Sequence, residues 1–150
     1  MEIKIVTDNR LTSITKAHEE VFHMELLMEI DIRITGSQFV AGHTKDICMI
    51  EFGGTATGSY FNGEVIGTGV DTQKIEKTKE MVLSARYMLE GKDADGNDCR
   101  IFIENNGSDF NNCKPTVYTN SPLLADWETS ELIAKVIPQE GGVKIQIYKN

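Results

Sequence analysis

The stretch from Ala85 to Gly107, ARYMLEGKDADGNDCRIFIENNG, admits two readings, and the choice between them fixes the fold. On the first, two runs of alternating apolar and polar residues flank an Asp95-Gly96 turn and form a β-hairpin. On the second, Asp93, Asp95, Asn97 and Glu104 occupy positions 1, 3, 5 and 12 of an EF-hand calcium loop. The alternation favours the hairpin. Position 6 of the calcium loop needs glycine for a sharp turn, where this chain has Asp98, and the flanks repeat with period two instead of helical spacing. A two-residue Asp95-Gly96 turn pairs Tyr87 with Glu104 and Arg86 with Asn105, whereas a loop of three or five residues changes that pairing.

Period-two alternation continues through the chain. In MEIDIRI, Met28, Ile30, Ile32 and Ile34 alternate with Glu29, Asp31 and Arg33. Further strands are expected over Ile47–Phe52, Gly63–Gly69, Glu80–Glu90, Cys99–Asn105, Thr116–Thr119, Leu132–Ile137 and Val143–Tyr148. Turn residues that accept positive φ separate them, including Gly53-Gly54, Asn62-Gly63, Asn106-Gly107 and Gly141-Gly142. Met81, Leu83, Ala85, Tyr87 and Leu89 alternate with Val82, Ser84, Arg86 and Met88, so both faces of that strand carry apolar residues. A single open sheet cannot keep both faces dry. The sequence therefore predicts an all-β fold, a single antiparallel β-barrel of about eight or more strands, with oligomerisation as the corollary. Thr12–Met24 has helical spacing at Ile14, Ala17, Val21 and Met24, and Leu123–Glu128 after Pro122 fits one short helical turn. One domain over residues 1–150 is expected, with no linker to mark a second.

The net charge of -8, with no Lys/Arg cluster, argues against a nucleic-acid partner. Cys48, Cys99 and Cys113 form no CxxC pair and no zinc spacing, which fits free thiols in a reducing cytoplasm. The amino-terminal residues lack the apolar core of a secretory signal, and no apolar run reaches membrane-spanning length. A cytoplasmic location with no membrane partner is expected.

Motifs that announce a chemistry are scarce. Gly53-Gly54-Thr55-Ala56-Thr57-Gly58 lacks the Gly-Lys-Ser/Thr ending of a phosphate loop, and glycines at this density in strand territory serve bulges and bends. His18 and His23 flank Glu19-Glu20 at a spacing that misses HExxH, and His43 sits in a loop beside Thr44. No serine or cysteine lies in a GxSxG setting. Trp127 fits a plug over one barrel end, and equally a ligand entrance. No cofactor and no metal are implied. The ionisable residues embedded in apolar strands, Asp71, Arg86, Tyr87 and Glu104, are the candidate polar groups of a barrel-lumen site.

GGTATGSYFNGEVIGTGVDTQ at 53–73, ARYMLEGKDADG at 85–96, IFIENNG at 101–107 and KPTVYTNSPLLADWE at 114–128 together resemble the domain of unknown function 3237 family. The resemblance runs from about Met24 to the carboxyl terminus and leaves residues 1–23 outside it. Matching positions include Gly53, Gly54, Gly58, Gly63, Asp71, Arg86, Tyr87, Asp95, Gly96 and Gly107; Thr72 departs, where an aromatic residue is expected. The resemblance implies a small antiparallel β-barrel, commonly oligomeric, with no activity to carry over. Two functions follow as expectations: small-molecule binding or cofactor-independent catalysis in the lumen or mouth, or a structural module acting through homo-oligomerisation.

Overall fold

The computed structural model describes residues 24–150, and these form a closed barrel of eight antiparallel strands in sequential order. The strands are β1 (Glu25–Ala41), β2 (Lys45–Thr57), β3 (Phe61–Glu76), β4 (Met81–Asp93), β5 (Asp98–Gly107), β6 (Cys113–Thr119), β7 (Leu132–Gln139) and β8 (Gly142–Lys149). Each strand expected from the alternation is present, and most extend beyond it. The helix expected over Thr12–Met24 lies outside the described residues. Leu123–Glu128 falls within a short 3-10 helix, Pro122–Glu128, between β6 and β7.

Alternation sets the interior. Ile30 and Ile32 on β1, Leu83, Tyr87 and Leu89 on β4, Ile101 and Ile103 on β5, and Ile145 and Ile147 on β8 are all buried. At one end the 3-10 helix drives Leu124 and Trp127 into the core, where the Trp127 ring meets Tyr60 edge-on at 5.9 Å between centroids. Trp127 is thus buried as the plug of that end. Burial of such large side chains supplies most of the driving force for closure.

Glycine is required where backbones approach closely. Gly63 and Gly91 face each other across β3 and β4, and a Cβ on Gly91 would collide with the Asn62 carbonyl oxygen. Gly53-Gly54 coincides with a register shift between Phe52 and Thr55, the bulge that glycine density in a strand leads one to expect.

The Ala85–Gly107 stretch is a hairpin of β4 and β5, with no helices flanking it. Its loop has three residues: the Asp93 N–H donates to the Asn97 carbonyl oxygen at 3.0 Å, and Gly96 adopts φ 80°. The Asp93 carboxylate accepts from the N–H groups of Asp95 and Asn97 and from the buried Ser121 hydroxyl at 2.8 Å. That last bond is the main reason its carboxyl lies below the ordinary range. The acidic residues of the apparent calcium loop are thus turn residues. The three-residue loop also corrects the register expected for a two-residue turn: Arg86 pairs with Glu104, Tyr87 with Ile103, and Ala85 with Asn105.

The wall is uneven. β4 and β5 share a continuous ladder from Leu83–Gly107 to Lys92–Asp98, whereas β6 and β7 share one register pair, Cys113 with Ala134. Beside it, the β5–β6 loop closes part of the gap through a hydrogen bond from the Val136 N–H to the Phe110 carbonyl oxygen at 2.9 Å. The β1–β2 hairpin runs past the end of β8, which pairs with β1 only as far as Arg33, so residues 36–41 overhang the open end.

Candidate functional site

The register brings interior-facing residues into rows across the barrel wall. One row runs Ile50, Asp71, Ala85, Asn105 and Pro115 across β2 to β6. The next row toward the open end contains Cys48, Gln73, Leu83, Gly107 and Cys113. Because Ala85 is small and stands between Asp71 and Asn105, the wall is hollowed between two polar side chains whose strands are separated by roughly 10 Å. A cavity of about 160 Å³ opens there. Ile32, Ile34, Ile50, Phe52, Val143 and Ile145 supply much of its apolar wall, and Phe110 of the β5–β6 loop covers part of it.

Asp71, Gln73, Asn105 and Cys113 are the polar lining. The Gln73 side-chain amide donates to Asp71 Oδ2 at 3.1 Å. Asp71 Oδ1 and Asn105 Oδ1 are buried with no hydrogen-bond partner among the described residues. Burial is the largest influence on Asp71 and pushes its carboxyl above the usual range, against the opposing pull of the Gln73 hydrogen bond and of the nearby Ser84 backbone amide. Burial likewise pushes the Cys113 thiol up, reinforced by the charges of Asp109 and Asp71. Its Sγ donates to the Asp109 carbonyl oxygen at 3.1 Å, so it is a protonated thiol and not an activated nucleophile.

The four residues singled out from the sequence divide by strand parity. Asp71 lines the cavity. Tyr87 also faces inward, one row deeper, its ring edge-on to Phe52 at 5.3 Å; its hydroxyl is buried without a partner, and burial raises its pKa. It stands behind Phe52 and is not part of the lining. Arg86 and Glu104 lie on the outer face, paired at 3.4 Å, with the Arg86 side chain 66% exposed. Residues 86 and 87 are neighbours on one strand and necessarily face opposite ways.

Gln73, Asn105, Phe110 and Cys113 are among the lining residues that sequence reasoning did not select. Gln73 was reachable, since it is two residues from Asp71 on the same strand and must share its face. Asn105 was obscured by the register: a two-residue turn pairs it with Arg86, whereas it pairs with Ala85 and shares the inner face of Ile101 and Ile103. Among the described residues no three His, Cys, Asp or Glu side chains gather as a metal site, and no helix is long and apolar enough to cross a membrane.

An eight-stranded antiparallel barrel, plugged at one end and hollowed toward the other around a half-buried acid and a buried amide, is the architectural class of this protein. A family model described as a protein of unknown function (DUF3237) matches residues 17–114. The chain belongs to that family, in agreement with the resemblance carried by its glycine and hairpin motifs, and the matched span begins within residues 1–23. A curated relative, a UPF0311 protein from Clostridium acetobutylicum, is 34% identical over 90 residues, which are 60% of this chain and 52% of the relative. The matched stretch thus spans about half the length of that relative. A crystal structure of a protein of unknown function from Clostridium acetobutylicum superposes with TM-score 0.73 at 24% identity, covering 85% of this chain and 97% of the other. A β-barrel-like protein from Acinetobacter baumannii superposes with TM-score 0.71 at 16% identity, covering 85% and 94%. At these identities the structural likenesses establish the fold alone.

Proposed function

We propose that the protein binds a small, largely apolar molecule in the cavity toward the open end of the barrel. One observation carries this reading: an apolar-walled space of about 160 Å³ borders Asp71 and Asn105, each with a buried oxygen lacking a partner among the described residues. Protein interiors are ordinarily close-packed and their buried polar atoms ordinarily paired, so a hollow beside two unsatisfied acceptors is the signature of a site made for something else. The test is saturation with toluene, followed by calorimetric melting of the wild type and of Ala85→Leu, which fills the hollow. Toluene raises the melting temperature of the wild type and leaves the variant unmoved. Equal response in both, or in neither, removes the reading.

The same site suits cofactor-independent catalysis, with Asp71 as the acid or base because it is the sole carboxylate in the lining. A metabolite turnover screen of the wild type against Asp71→Asn tests that extension, and activity retained in the variant counts against it.

A second reading has its own support. Phe39 and Val82 are 63% and 56% exposed, and Val40 and Met49 are also open to solvent. Apolar residues in these positions favour a homo-oligomer that covers them. Sedimentation finding only monomer across the micromolar range refutes this. Three free cysteines support a cytoplasmic location, which cell fractionation tests.

A further inference from the structure

We propose that the ligand of this cavity is an uncharged molecule of single-ring size that presents a hydroxyl, or an equivalent neutral hydrogen-bond donor, to Asp71. The inference rests on the cavity reading above and adds size, charge and polarity to it.

Size follows from volume. The space is about 160 Å³, close to the roughly 150 Å³ of an engineered apolar cavity in another protein that admits one benzene. One six-membered ring fits; a fused polycycle does not.

Charge follows from the lining. Asp71 is its only carboxylate, and no Lys, Arg or His contributes to it. An anionic ligand would meet Asp71 in a desolvated setting with no counter-charge. A primary ammonium brings three N–H donors, while the lining leaves two buried acceptors open, Asp71 Oδ1 and Asn105 Oδ1. Placing it among Ile32, Ile50 and Val143 leaves a charged donor unsatisfied. Burial also opposes ionisation of the carboxyl that would have to balance it.

Polarity follows from the same atoms. Gln73 already occupies Asp71 Oδ2, so Oδ1 is the oxygen that lacks a donor. A single hydroxyl satisfies it and leaves the rest of the ring to the apolar wall. A wholly apolar ring fills the space and leaves Oδ1 orphaned.

The experiment is a calorimetric titration of the full chain and of Asp71→Ala with four probes: phenol, toluene, benzoate and benzylammonium. Phenol is expected to bind the wild type about tenfold more tightly than toluene, the scale of one hydrogen bond to a buried acceptor. In Asp71→Ala that ratio falls to about two or less, and benzoate and benzylammonium give no measurable heat with either protein. Toluene matching phenol in the wild type overturns the donor assignment while leaving the cavity reading intact. Benzylammonium or benzoate binding tightest overturns the charge assignment. Heat from none of the four overturns the cavity reading with it. Should Asp71→Ala fail to fold, the wild-type ratio and an Asp71→Asn variant, which keeps an acceptor and should retain most of the phenol preference, decide the matter.

Discussion

Replacing Ala85 by leucine is the sharpest perturbation of the cavity, because this side chain stands between Asp71 and Asn105 in one row of the wall. The substitution adds three carbon atoms. At about 0.8 kcal/mol per buried methylene, full burial of the addition contributes roughly 2.4 kcal/mol. Ala85 is only partly buried, and the new rotamer must fit against Phe52 and Leu83. The expected net gain is therefore nearer 1–2 kcal/mol, well apart from the loss of about 1–3 kcal/mol that follows insertion into a filled core. For a chain of this size each kilocalorie moves the melting temperature by roughly 2–4 °C, so the variant should melt about 2–8 °C higher. Urea unfolding at unchanged slope supplies the free energy. Ligand linkage supplies a second measure: toluene at ten times its dissociation constant stabilises the wild type by about 1.4 kcal/mol and the variant by almost nothing. A destabilisation of 1 kcal/mol or more in Ala85→Leu would falsify the claim that the space between Asp71 and Asn105 is open.

Trp127→Ala removes the plug and should cost about 3–5 kcal/mol in urea unfolding; a loss under about 1 kcal/mol contradicts its place in the core. Arg86→Ala should change stability by no more than about 1 kcal/mol and leave phenol binding untouched, because its ion pair with Glu104 is exposed and outside the barrel. Gly96→Ala forces a Cβ into φ 80° and should cost about 1–2 kcal/mol, with Asn at the same position costing less. Asp71 has a pKa higher in the folded than in the unfolded chain, so folded protein holds a proton that unfolded protein releases. Stability contributed by this group is full below the unfolded value and falls as pH rises through the folded value. Asp71→Asn should remove that slope and exceed the wild type at neutral pH, as read from urea midpoints between about pH 4 and pH 8; a wild type that gains on the variant with rising pH reverses the sign.

The barrel was legible because period-two alternation is a local property that survives without knowledge of partners. Each of the eight strands carries its own signal, from Met28–Ile34 to Val143–Tyr148, and the doubly apolar β4 called for closure. The site was less legible because it depends on register, a property of two strands and the loop between them. One residue of loop length takes Asn105 from opposite Arg86 to opposite Ala85 and brings Arg86 and Glu104 together. Asp71 was found because an acid in an apolar strand is conspicuous by itself. Phe110 and Cys113 were not, since a loop aromatic and a small thiol acquire meaning only when a distant strand, β7, is brought beside them.

The single register pair between β6 and β7 makes this a rolled sheet fastened by a clasp. Every other junction in the wall is a ladder of at least seven residue pairs, which holds whether or not the chain is continuous at its turn. At the clasp, continuity assists a sparse set of contacts: the connection through Ser121 and the 3-10 helix keeps β6 and β7 neighbours beside the Val136–Phe110 hydrogen bond. New termini placed in another turn would leave the cylinder closed. A cut between Glu128 and Leu132 would leave that seam to one register pair, one backbone hydrogen bond and the packed core, and it is there that the cylinder should open first.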